Sequence, residues 1–208
     1  MILVNEADQQ KIADAIAEAE RTTAGEIVAV IAHSSGSYIY AAFFWPAIIA
    51  LAVPLPFINW TWWPIQTIYL VQILVFTALT LLLLFYRPLR LALVPRLLKH
   101  QVAHRRALEQ FLAQNLHTTP GRTGVLLFVS VSERYAEIVA DAAIDKHVGR
   151  AAWRAIIDDL TTQIGNGDPV TGFLGAIRAV AQPLAAHFPP GSQPHDSLPN
   201  HLIVLPSD

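Results

Sequence analysis

The chain contains no cysteine. That excludes disulfides, thiolate metal sites and cysteine nucleophiles, and it leaves the compartment open. Charge is also scarce: Asp, Glu, Lys and Arg make up 14% of the 208 residues, against about 25% in an ordinary globular chain. With a net charge of -2 the protein has no basic excess with which to neutralise phosphates, so no nucleic-acid partner is expected. From Ile27 to Tyr86 there is no charged residue at all. A soluble domain must solvate some surface over any such length, so the gap itself argues for another solvent. No basic, apolar leader opens the chain at Met1, so no cleaved signal peptide is expected.

Two apolar runs fill the gap, Tyr38 to Ile58 and Pro64 to Tyr86. Each reaches the roughly 20 residues needed to cross a hydrocarbon core about 30 Å thick. The polar members of the second run are Gln66, Thr67, Gln72, Thr77 and Thr80, all uncharged. Gln66 and Gln72 suit hydrogen bonding between helices better than a pathway, since two spans make no obvious pore. Pro46, Pro54 and Pro56 predict a kink or an early end in the first run. Trp60, Trp62 and Trp63 lie in the short link between the runs, where indoles favour a membrane–water interface. So short a link makes the spans antiparallel and leaves both soluble pieces on one side. A buried hairpin in a soluble core is the competing reading, but the remaining chain is too short to cover it.

Arg87, Arg90, Arg96, Lys99, Arg105 and Arg106 follow the second run with no acidic residue among them. The positive-inside rule then puts both termini and the soluble part in the cytoplasm. Pro88 to His104 reads as an amphipathic helix at the interface, or as a solvated extension of the second span.

The soluble part is in two pieces. Asn5 caps a helix running to Arg21, with Ile12 and Ile16 on one face, and Glu26 to Ala32 is a buried strand. After the hairpin, Arg105 to Leu116 is a helix with Leu108, Phe111 and Leu112 inward. Val125 to Val131 is a central strand and Tyr135 to Asp141 its antiparallel partner. A helix with Trp153, Ile156, Ile157, Leu160 and Ile164 on one stripe follows. The next is capped by Asp168 with Pro169 in its first turn. The expected organisation is 1–33 as the first part of a layered α/β domain, 34–104 as hairpin and basic juxtamembrane helix, and 105–188 as its remainder. Residues 189–208 read as a flexible tail, within which Leu202 to Leu205 is either an edge strand or disordered.

Thr23-Ala-Gly-Glu-Ile-Val, Gly124-Val-Leu-Leu-Phe-Val-Ser-Val-Ser-Glu-Arg134, Glu137-Ile-Val-Ala-Asp141 and Gly172 with its helix resemble the TPM domain. That family takes its name from thylakoid and photosystem repair proteins and an acetylcholine-receptor modulator. The chain looks most like a bacterial branch with a membrane hairpin inside the domain. The resemblance implies a Rossmann-like three-layer α/β fold, described variously as a phosphatase and as calcium-binding. The chain departs from the family pattern at Ala140-Asp-Ala-Ala143, where many members carry Gly-Tyr-Gly, and this puts a shared phosphate or metal site in doubt.

A metal-dependent hydrolase needs carboxylates that converge on a hard cation. Glu26, Glu133, Asp141 and Asp145 lie near strand ends. Glu133 and Asp141 fall at opposite ends of one strand, about seven residues apart at 3.3 Å each, too far to share an ion. Asp141 with Asp145 is the local pair that could hold calcium or magnesium, with a solvated loop or a helix cap as the plainer reading. Arg134 could grip a phosphate with its planar fork, or be a surface charge beside Glu133 or Glu137. His147 could act as a base near Asp145, and His100 with His104, at i and i+4, could bind a transition metal. No P-loop, dinucleotide fingerprint or nucleophile elbow occurs. The expected role is a protein-interaction or assembly module at the membrane, its partners the lipid bilayer and another membrane or envelope protein. A membrane-bound metal-dependent acid phosphatase is the alternative.

Overall fold

The structure is a computed structural model that describes residues 4–119, 121–190 and 200–206, with the backbone alone at position 59. In chain order its elements are α1 (Glu6–Glu20), β1 (Glu26–Ala32), α2 (Ile39–Ala52), α3 (Pro54–Trp60), α4 (Ile65–Phe85), α5 (Arg87–Ala92) and α6 (Arg96–Ala113). A 3-10 turn at Leu116–Thr118 leads to β2 (Gly124–Ser130) and β3 (Tyr135–Ala140). Then come α7 (Ala142–Val148), α8 (Arg150–Gly165), α9 (Pro169–His187) and β4 (Leu202–Leu205). They form two compact units, one of residues 1–35 with 100–208 and the other of residues 36–99.

The first unit is an α/β domain on a four-stranded mixed sheet of order β3-β2-β1-β4. Strands β1, β2 and β4 run parallel, while β3 returns antiparallel beside β2. Every residue of β1 and β2 is buried, as expected of strands covered on both faces. Alternation then divides their side chains. Ile27, Ala29, Ile31, Val125, Leu127 and Val129 meet Ile12 and Ile16 of α1, Trp153 and Leu160 of α8, and Phe173, Ile177, Val180 and Leu184 of α9. On the other face Val28, Val30, Leu126 and Phe128 meet Ala103, Ala107 and Phe111 of α6 and Leu116. The three layers are thus helices, sheet and helix.

Local signals explain most boundaries. The Asn5 side chain accepts the Asp8 N–H at 2.8 Å and starts α1. Asp168 accepts the Thr171 N–H at 3.0 Å to start α9, with Pro169 in the first turn where no donor is lost. Asp168 is held below the ordinary carboxylate range, first by a side-chain hydrogen bond from Thr171 and then by that backbone N–H.

Two expectations are corrected, and a third, left open between two alternatives, is decided. Leu108 and Leu112 of α6 face outward, at 41% and 56% exposure, and the buried face is Ala103, Ala107, Gln110 and Phe111. Alanines let the helix backbone lie close on the sheet, which bulkier leucines would hold off. The stretch Pro88 to His104 is not one helix. It breaks over Leu93–Pro95, because proline lacks the N–H and disfavours helical geometry in the residue before it. Of the expected tail, Leu202–Leu205 pairs with Ala29–Ala32 as the edge strand β4, while 191–199 and 207–208 lie outside the described residues.

In the second unit, Ile39–Ile58 and Ile65–Phe85 are long and apolar enough to cross a membrane. Helices α2 and α4 pack side by side, and the short link at 61–64 makes them antiparallel. The proline effect falls at Val53, where α2 gives way to α3. Pro46 is accommodated inside α2. The Trp45 indole N–H donates to the Leu93 carbonyl at 3.1 Å, and Arg90, buried, donates to the Leu84 carbonyl at 3.3 Å. Leu51, Leu70 and Leu74 are largely exposed.

Candidate functional site

Strand β3 is an edge of the sheet, and beside it runs a groove of about 750 Å³. Its walls are Tyr135–Ile138 of β3, His100 at the start of the domain's share of α6, Asp145 of α7, and Arg150, Trp153, Arg154, Ile157, Asp158 and Thr161 of α8. Arg134 lines the groove and a smaller cavity of about 390 Å³ next to it.

The backbone of β3 is oriented by its ladder. Asp141 donates its N–H to the Gly124 carbonyl at 2.9 Å, and the register pairs Val139 with Leu126, Glu137 with Phe128 and Tyr135 with Ser130. Antiparallel strands alternate, so the odd-numbered residues turn their backbone groups to β2 and Ala136, Ile138 and Ala140 turn theirs outward. Among the described residues no strand pairs with that edge. An extended segment laid along it would find donors and acceptors at the spacing of a further strand.

A polar network stands at one side of the groove. The Tyr135 hydroxyl donates to Glu137 Oε2 at 2.8 Å, and His104 Nδ1 lies 2.8 and 3.0 Å from the two oxygens of the same carboxylate. His100 packs its ring against Tyr135 with centroids 5.2 Å apart. The Tyr135 hydroxyl is pushed above its ordinary value, first by burial, then by its hydrogen bond to Glu137 and the charge there. Each half of this network is visible in the sequence as a spacing: i, i+2 on a strand for Tyr135 and Glu137, i, i+4 on a helix for His100 and His104. That the two faces meet is a tertiary fact no spacing carries.

Arg134, Arg150 and Arg154 converge on the same groove, and among the described residues none makes an ion pair. Arg134 sits in left-handed backbone at φ 50°, at the end of the β2–β3 turn. Asp145 and Asp158 supply opposite charge on the same walls.

Of the candidates drawn from the sequence, Arg134, Asp145 and His100 line this groove and His104 reaches Glu137 on its wall, whereas Glu26, Glu133, Asp141 and His147 do not line it. Glu133 is 3% exposed at the far end of β2. Its Oε1 accepts the Ser34 hydroxyl at 3.1 Å and the Ser35 N–H at 3.1 Å, and its Oε2 accepts the Ser130 hydroxyl. The serine linker after β1 is therefore part of the domain. Glu26 is buried at the other end of the sheet, paired with Gly124, on whose opposite side Asp141 stands. Asp141 caps α7: its Oδ1 accepts the Ala142 N–H at 2.6 Å and its carbonyl accepts those of Ile144 and Asp145. Asp145 is exposed in the first turn of α7. Among the described residues no three side chains of metal-ligating type gather into one group.

The TPM-domain family model matches residues 87–182. No curated protein matches the chain. Among solved structures, the fold is similar to the NMR structure of the BA42 protein from the psychrophilic bacteria Bizionia argentinensis sp. nov. The TM-score is 0.60, the identity 18%, and the likeness covers 97% of this chain and 94% of that one. At that identity the likeness is one of fold. The matched stretch takes in β2, β3, α7, α8 and most of α9, whereas α1 and β1 lie before it. Residues 87–182 thus match the TPM domain, within a fold that the BA42 protein shares.

Proposed function

We propose that the protein is a membrane-anchored TPM-like module that binds another membrane or envelope protein at the bacterial inner membrane. Two long apolar helices, with leucines such as Leu51, Leu70 and Leu74 exposed, support the anchor. The basic residues that follow α4 and the charge-free tryptophan link support a cytoplasmic α/β domain. The observation that carries the binding role is the outer edge of β3, whose free backbone groups border a groove lined by Trp153 and three arginines. A segment of the partner adds to the sheet there as a strand.

Ala136→Pro tests this in the full chain in membranes. Its N–H points outward, so proline removes a docking donor and leaves the β2–β3 ladder intact. With a photo-crosslinking residue at Ile138, a discrete adduct is expected that disappears in the proline background. With the same residue at Asp159, on the exposed side of α8, none is expected. Equal adducts at both positions, or an adduct unaffected by proline, would refute edge capture.

Arg134, Arg150 and Arg154, which line the groove with Asp145 and make no ion pair among the described residues, favour one other reading, a phosphatase that grips an anion in the same groove. Hydrolysis of a phosphomonoester by the purified chain with Ca²⁺ or Mg²⁺, abolished by Asp145→Ala, would replace the binding role.

A further inference from the structure

Away from the groove, α7 and α9 each carry a histidine in the last turn, His147 and His187, both exposed. Their ring centroids lie 5.2 Å apart with the planes inclined at 41°. His147 Nδ1 lies 2.8 Å from the Ala143 carbonyl one turn back. A carbonyl only accepts, so Nδ1 carries a proton, and in the neutral ring Nε2 is the nitrogen with the lone pair. That is the arrangement of a metal-bound imidazole, whose other nitrogen is steadied by a backbone carbonyl. The Phe188 ring meets His147 edge-on at 5.6 Å and limits its swing.

The separation has a chemical meaning. With Zn–N at 2.0–2.1 Å, an ion sits about 3.2 Å from each ring centre, and a tetrahedral angle between two imidazoles puts the centres about 5.2 Å apart. We infer that His147 and His187 form a two-histidine site for a divalent transition metal of the zinc class, joining the end of α7 to the end of α9. Imidazole nitrogens suit Zn²⁺, Ni²⁺ and Cu²⁺ and discriminate against Ca²⁺ and Mg²⁺. The C-terminal ends of both helices present carbonyls, whose partial negative charge favours a cation. Waters complete the coordination. The bound ion would pin α7, a seven-residue helix too short to hold its shape by its own hydrogen bonds. The inference stands apart from the groove and does not depend on what binds there.

The test is Zn²⁺ titration of the full chain in nanodiscs, free of any polyhistidine tag, by competition with a chromophoric chelator. A thermal melt with and without the ion runs alongside. One Zn²⁺ per chain and a raised melting temperature are expected, with no response to Mg²⁺ or Ca²⁺. His147→Gln and His187→Gln should each weaken binding by at least about tenfold and abolish the thermal gain, while leaving the metal-free melt unchanged because both side chains are exposed. No binding below about 1 mM, or binding that survives both substitutions together and so belongs to other histidines, would overturn the site.

Discussion

Glu133→Ala should unseat one end of the sheet. The carboxylate accepts from the Ser34 hydroxyl, the Ser35 N–H and the Ser130 hydroxyl, all in a buried pocket. A hydrogen bond to a charged group contributes about 1.5–3 kcal/mol, and removing the shared acceptor leaves its donors dry. Ser35 and Ser130 hydroxyls still have each other at 2.7 Å, which offsets part of the loss. The expected cost is therefore about 3 kcal/mol rather than the full sum. For a domain of this size that lowers the melting temperature by about 10 °C. Glu133→Gln keeps the shape and one acceptor and should lose about half as much. Hydrogen exchange read by mass spectrometry separates this from the hairpin, because the effect should localise to amides of Ile27–Ala32 and Val125–Ser130. Unchanged protection there, with a melt within about 2 °C of the parent, would refute the account of Glu133 as a buried structural acceptor.

Gly124→Ala should be costly, since a Cβ there would stand 2.5 Å from the Leu116 carbonyl oxygen and 3.0 Å from its Cβ. A loss of about 1–3 kcal/mol is expected in the melt, whereas Gly165→Ala, with open space around it, should be neutral or stabilising. Asp168→Ala should weaken α9 in a pH-dependent way. The folded group titrates below its ordinary value, so its stabilisation is full above about pH 3.9 and fades as pH falls through the lowered value. The gap in melting temperature between parent and variant should therefore be constant near neutrality and close in acid.

Strands β1 and β2 were legible because each is a short, nearly continuous apolar run, the pattern of a strand buried on both faces. Caps at Asn5 and Asp168 were legible because they are local. The face of α6 was not. Leu108 and Phe111 are equally apolar in sequence, and only the close approach of α6 to the sheet selects Ala103 and Ala107 for the interior. The serine run after β1 could not be placed in the domain from local sequence for a related reason. Its partner Glu133 lies roughly a hundred positions on, beyond any local window. Arg134 and Asp145 could be named as charged residues near strand ends, but a groove that joins them to Arg150 and Arg154 exists only once α8 lies along β3.

The parallel ladder between β1 and β2 also sets an order of events. Glu26 pairs with Gly124 roughly a hundred positions later, while β2 and β3 are joined by a four-residue turn. Pairing between such distant residues is slow, because the chain must lose loop entropy before any contact repays it. During synthesis β1 is complete before the two apolar helices emerge, and β2 follows them only after the second has left the ribosome. An apolar strand with both edges unpaired must wait throughout, which is the state most prone to wrong association. Its wait ends only when β2 is made, with β3 a four-residue turn behind it.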